Sequence, residues 1–137
     1  LVPLQCEYYA LEGLSQLLST AGLVKKGINP NLHIEGILLT MFDKRNNLSH
    51  QVVEEIKTHF KDKVFSAVIP RNVRLSEAPS HGVSIFGYDP RSIGAIMYLE
   101  LAKELVAKDE VAAVGLEMGQ TEQNSGVDLL NNVETVM

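Results

Sequence analysis

The chain has 137 residues, 45% of them hydrophobic and 21% charged, which is the balance of a globular protein with room for one ordinary core. Its net charge of −5 is unevenly laid out: residues 1–108 hold all 12 Lys and Arg against 11 acids, and residues 109–137 hold six acids and no base. No apolar run approaches the ~20 residues of a membrane-spanning helix, no signal-peptide pattern is present, and one cysteine with four scattered histidines supplies neither a disulfide framework nor a metal cluster.

In chain order, Leu1–Gln5 is an apolar run that reads as a buried strand from its first residue, which gives the expectation of a fragment. From Tyr8 to Thr20 the spacing predicts a helix with Leu11, Leu14 and Leu18 on one face and Gly22 placed to end it. Asn29-Pro30-Asn31 is a turn, and Ile34–Met41 reads as a strand buried on both faces, as in parallel sheets. The polar loop Asp43–Asn47 leads to a helix with Ser49 as its expected N-cap; Val53, Ile56 and Phe60 line its inner face, and Glu54, Glu55 and Lys57 face water. Val64–Ile69 is a third strand, stopped by Pro70.

From Arg71 to Pro90 the prolines and glycines predict a long irregular loop, of a length that often carries function. A last helix is expected from about Ser92 to Ala107, with Tyr98, Leu101, Ala102 and Leu105 on its inner face. Beyond Lys108 the pattern fades, and residues 109–137 are read as an acidic, flexible tail.

This alternation is that of an α/β domain with a parallel sheet, whose ligands gather beyond the carboxyl ends of the strands. Here those ends are Met41-Phe42-Asp43 and Ile69-Pro70-Arg71. Taken alone, Met41 is a core residue, Asp43 a turn cap, Pro70 a strand stop, and the arginines solvated surface. Glu77, Ser80 and His81 lie close in sequence, but a loop built on Pro79 and Gly82 accounts for them without a catalytic triad. Cys6 reads as a buried small apolar residue.

Long stretches carry a resemblance: Val2-Pro3-Leu4-Gln5-Cys6-Glu7-Tyr8-Tyr9-Ala10-Leu11-Glu12-Gly13-Leu14, then Glu35–Asp43, then Ile69-Pro70-Arg71-Asn72-Val73-Arg74-Leu75-Ser76-Glu77-Ala78-Pro79-Ser80-His81-Gly82, then Tyr88–Ser92. Together they resemble the ParA/Soj partitioning ATPases, relatives of MinD in the P-loop class, over roughly residues 1–106. Residues 1–108 look like the C-terminal half of such an ATPase domain, part of a P-loop-type parallel sheet flanked by helices. The resemblance implies a parent that binds ATP with magnesium, dimerises, coats DNA non-specifically, answers to a ParB-type partner, and works in the cytoplasm at the nucleoid, away from membranes.

It also implies nucleotide contacts at Met41, Asp43, Pro70, Arg71 and Asn72, and DNA contacts at Lys44, Arg45 and Arg74. Val83 and Ile93 stand where the family often has a base, which thins the DNA surface. The sequence contains no Gly-Lys dipeptide, so the phosphate-cradling loop of the class is not in it, and the chain alone is expected to bind no cofactor tightly and to be inactive. A second reading is a non-enzymatic module that associates with itself, with DNA or with a full-length relative.

Overall fold

A computed structural model describes residues 1–118, with side chains described through Asp109. The elements are β1 (Val2–Gln5), α1 (Tyr8–Gly27), β2 (Ile37–Phe42), α2 (Asn47–Phe60), β3 (Val64–Pro70), α3 (Val73–Glu77), α4 (Ile85–Tyr88) and α5 (Ile93–Met118), with 3-10 turns at Lys61–Lys63 and Ala78–His81. The strands form one parallel sheet in the order β1-β2-β3. Each strand reaches its neighbour through a helix, as parallel pairing requires.

Alternation along β2 divides the core. Ile37 and Leu39 join Val2, Leu4, Leu14, Leu18, Val52, Ile56 and Phe60 on the face covered by α1 and α2. Leu38 points the other way and joins Phe65, Ala67, Ile69 and Leu101 beneath α5. β2 is thus buried on both faces, as its composition predicts. β1 buries only Val2 and Leu4, while Pro3 and Gln5 are exposed.

Several boundaries differ from the sequence expectation, each for a local reason. α1 runs through Gly22, which is buried inside it, and ends at Gly27 after Lys25 and Lys26, two cations suited to a helix C-terminus. Asn46, not Ser49, caps α2: its side-chain oxygen accepts from the Leu48 amide at 3.0 Å, while the buried Ser49 hydroxyl donates to the Cys6 carbonyl at 3.2 Å. Val52 joins Ile56 and Phe60 on the buried face of α2, with Val53 at its margin.

The expected loop Arg71–Pro90 is mostly short helical turns. Asn72 and Ser84 cap α3 and α4 through their side chains, Pro79 sits at a turn start where its missing N–H costs nothing, and Gly82 stops that turn at φ 66°. On α5 the inward row is Met97, Leu101 and Leu105, so Tyr98 and Ala102 face outward. α5 continues past Lys108 to Met118, so residues 109–118 of the expected flexible tail are helical; residues 119–137 lie outside the described residues.

Candidate functional site at the carboxyl ends of the strands

All three strands are parallel, so the segments after β1, β2 and β3 leave the sheet at one end. The Arg71 amide donates to the Phe42 carbonyl at 2.9 Å, which sets the second and third segments side by side. The Arg71 guanidinium reaches back to Glu7 at 2.6 Å and ties in the first.

β2 ends on a bulge. Between the pairs Leu39↔Val68 and Phe42↔Pro70 it has one residue more than β3, and Met41 takes φ 55°, a left-handed value that costs a non-glycine residue energy. The extra residue turns Phe42 onto the α2 face, edge-on to His50 at 5.0 Å, and brings Asp43 out at the strand end. Asp43 then closes a tight turn, accepting from the Arg45 amide (3.0 Å), Nε (3.0 Å) and Nη2 (2.9 Å). Hydrogen bonding from Arg45 holds the Asp43 carboxyl down at about 2 and raises the Arg45 guanidinium in turn. His50 Nε2 lies 3.0 Å from the Lys44 carbonyl, and the Lys44 ammonium has no acidic partner among the described residues.

β3 delivers a half-buried Pro70, then Arg71, then Asn72, whose side-chain oxygen accepts from the Arg74 amide at 2.8 Å. Gly94 keeps α3 close to α5, because a Cβ there would lie 2.6 Å from Leu75 Cγ. The Arg74 guanidinium donates to Glu77 at 2.9 Å and lies 3.5 Å from Asp89. Tyr88 donates to the same Glu77 oxygen at 3.0 Å, and His81 stacks on the Tyr88 ring at 5.0 Å. Hydrogen bonds from Arg74 and Tyr88 lower the Glu77 carboxyl, and Glu77 raises Arg74.

Glu77, Ser80 and His81 therefore form no nucleophilic relay. The Ser80 hydroxyl donates to the Glu77 carbonyl, while the Glu77 carboxylate is taken by Arg74 and Tyr88. Cys6 is fully buried, and burial, with Glu7 adding to it, pushes its thiol up to about 11, the state of an inert residue. Among the described residues no group of His, Cys, Asp and Glu could hold a metal ion, and no helix is long and apolar enough to cross a membrane.

Every residue singled out in the sequence sits at this end: Met41, Asp43, Lys44, Arg45, Pro70, Arg71, Asn72 and Arg74. What the sequence reading missed are the partners. Glu7, Glu77 and Asp89 compensate the arginines, Tyr88 fixes Glu77, and Arg91, whose amide donates to Asp89 at 3.2 Å, carries an exposed guanidinium with no acidic partner among the described residues. The half-buried Met41 and Pro70 offer apolar surface at this end, and the Asn72 side-chain amide offers N–H donors.

A parallel sheet with helices on both faces and polar loops at the strand ends defines an α/β domain of the nucleotide-binding class. The CobQ/CobB/MinD/ParA nucleotide binding domain family matches this chain over residues 4–85. The sporulation initiation inhibitor protein Soj of Bacillus subtilis is 67% identical over 106 residues, covering 77% of this chain and 42% of the relative. The chromosome partitioning protein ParA of Myxococcus xanthus is 62% identical over 109 residues, covering 80% and 38%. The chromosome-partitioning ATPase Soj of Thermus thermophilus is 51% identical over 111 residues, covering 81% and 45%. The chain belongs to the CobQ/CobB/MinD/ParA family, within its ParA/Soj group, and spans less than half the length of each of these relatives.

Proposed function

We propose that this chain is the DNA-facing, base-contacting part of a ParA/Soj-type partitioning ATPase. The observation that carries this reading is the convergence of Lys44, Arg45 and Arg74 on one end of the sheet, from the loops after β2 and β3. Guanidinium and ammonium groups on such loops bind phosphate oxygens without reading sequence, which is the chemistry of non-specific DNA association. Arg91 extends the face. Identity of 67% to a Soj protein supports carrying the family's roles onto these positions.

In the same reading, Met41, Asp43, Pro70, Arg71 and Asn72 border the base and ribose of ATP. The triphosphate and magnesium are held by residues of the longer relatives that this sequence lacks, since it has no Gly-Lys dipeptide. The chain alone then hydrolyses no ATP. In the parent, ATP-dependent dimerisation and a ParB-type partner govern the DNA-bound state at the nucleoid.

The test is binding of random-sequence duplex DNA at two salt concentrations. The Arg45→Ala, Arg74→Ala double variant is expected to bind more weakly, with a shallower salt dependence by roughly two counterions. Equal binding by the variant and the unmodified chain overturns the assignment. The second reading, a non-enzymatic module that pairs with itself or with a relative, is favoured by one observation: Tyr9 and Leu17 are exposed beside the unpaired side of β1.

A further inference from the structure

Arg74 is the arginine of this face that meets two carboxylates. Its guanidinium meets Glu77 on one side (2.9 Å) and Asp89 on another (3.5 Å). An exposed pair of residues three apart on a short helix ordinarily contributes little, because both side chains stay mobile. Here Tyr88, from α4, donates to the Glu77 oxygen that Arg74 uses, and His81 stacks on Tyr88 with its ring inclined by only 22°. Glu77 is thereby fixed where it faces the guanidinium, while half of the Arg74 side chain remains open to solvent.

A carboxylate and a phosphate engage a guanidinium through the same donors. An N–H that is given to Glu77 is not available to a DNA phosphate. Asp43 stands in the same relation to Arg45, as a residue of the same tight turn, and Glu7 in the same relation to Arg71. Lys44 and Arg91 have no such occupant among the described residues.

We propose that Glu77 is an internal competitor for the phosphate that Arg74 binds, and so a determinant of how tightly this face holds DNA. This rests on the reading of Arg74 as a DNA-backbone contact. Tyr88 and His81 act as positioning residues that keep the carboxylate in place. DNA then binds Arg74 by displacing Glu77, and the affinity of the face is set below what its count of cations implies.

The experiment measures binding of random-sequence duplex DNA to the full 137-residue chain and to Glu77→Gln, which keeps the shape and an acceptor for Tyr88 but removes the charge. The expected result is binding roughly two- to five-fold tighter at low salt, the range of one exposed ion pair. The slope of affinity against salt should stay close to that of the unmodified chain, because Arg74 meets one phosphate in both. Glu54→Gln, an exposed acid on the solvent side of α2, changes the net charge equally and is expected to bind as the unmodified chain does. Glu77→Gln binding that is unchanged or weaker, in a variant that melts like the parent chain, overturns the proposal. So does equal tightening by Glu54→Gln. Adding Arg74→Ala to Glu77→Gln separates the two layers: loss of the tightening supports the competition, and its persistence overturns the role of Arg74 itself. Absence of DNA binding by both the unmodified chain and Glu77→Gln overturns the DNA reading and the proposal with it.

Discussion

At Asp43 a single carboxyl accepts from the backbone, the Nε and the Nη2 of one neighbour, Arg45. Its folded value of about 2 lies below the ordinary 3.8, so the turn is favoured while Asp43 is ionised. That contribution is fully present above pH ~4 and is lost as the pH falls toward 2. A carbon-detected titration of the Asp43 carboxyl should give a midpoint near 2, and Arg45→Ala should return it toward the ordinary value. A midpoint near 4 in the unmodified chain would show that the turn is open in solution. The same geometry explains why the sequence names Arg45 without revealing its state. An Asp and an Arg two residues apart are common in loops, and only the turn brings their polar atoms into register.

At the scale of the elements, the outer edge of β3 shows how the fold closes a sheet. β3 has two residues more than β2 between the pairs Ile37↔Val64 and Leu39↔Val68, and the irregularity turns successive amides outward. Glu104, on α5, takes both: it accepts from Ser66 at 2.9 Å and from Ala67 at 3.1 Å. Lys108 lies 4.0 Å above the Phe65 ring one helical turn further on. A charged cap on edge donors both stabilises the strand and bars a second strand from pairing there. Glu104→Ala should therefore cost roughly 1–3 kcal/mol in chemical denaturation, the value of hydrogen bonds to a charged acceptor, reduced where water reaches Ser66. Amide exchange at Ser66 and Ala67 should accelerate beyond the change in global stability; exchange that tracks global stability alone would rule the cap out.

The apolar runs of β2 and β3 and the spacing on α1 and α2 make those elements readable from sequence, because burial imposes the pattern directly. Three things escape it. The left-handed Met41 is set by strand register, since methionine has no preference for positive φ. The turns between Val73 and Tyr88 are short, and α3 and α4 each begin at a single side-chain cap, so proline and glycine mask them. Glu7 and Arg71 meet only because β1 and β3 run the same way.

Taken whole, the molecule is unevenly finished. The β3 edge is capped, whereas the β1 side is open. Val2 donates to the Gly36 carbonyl just before β2 at 2.8 Å and Cys6 to the Thr40 carbonyl at 2.9 Å, so by alternation the backbone of Pro3 and Gln5 faces outward. Pro3 has no N–H to offer, and the Gln5 carbonyl already accepts from Glu7 at 2.8 Å, which leaves few backbone groups for a new strand. Beside this edge lies a groove of about 530 Å³ lined by Val2, Leu4, Tyr9, Ala10, Leu14 and Leu17. Tyr9 and Leu17 are 80% and 47% exposed. Exposed apolar surface of this kind drives association in water, and here it offers more than the backbone does. The 15.1 kDa chain should accordingly show a concentration-dependent mass above the monomer in sedimentation equilibrium. Leu17→Lys, which charges the groove wall without touching the sheet, should shift it toward the monomer. Glu12→Gln, at an exposed position on the same helix, should leave it unchanged. A monomer at all concentrations would remove the support for the self-associating module. Association insensitive to Leu17→Lys would place the contact elsewhere, and association abolished by Arg45→Ala would place it on the arginine face.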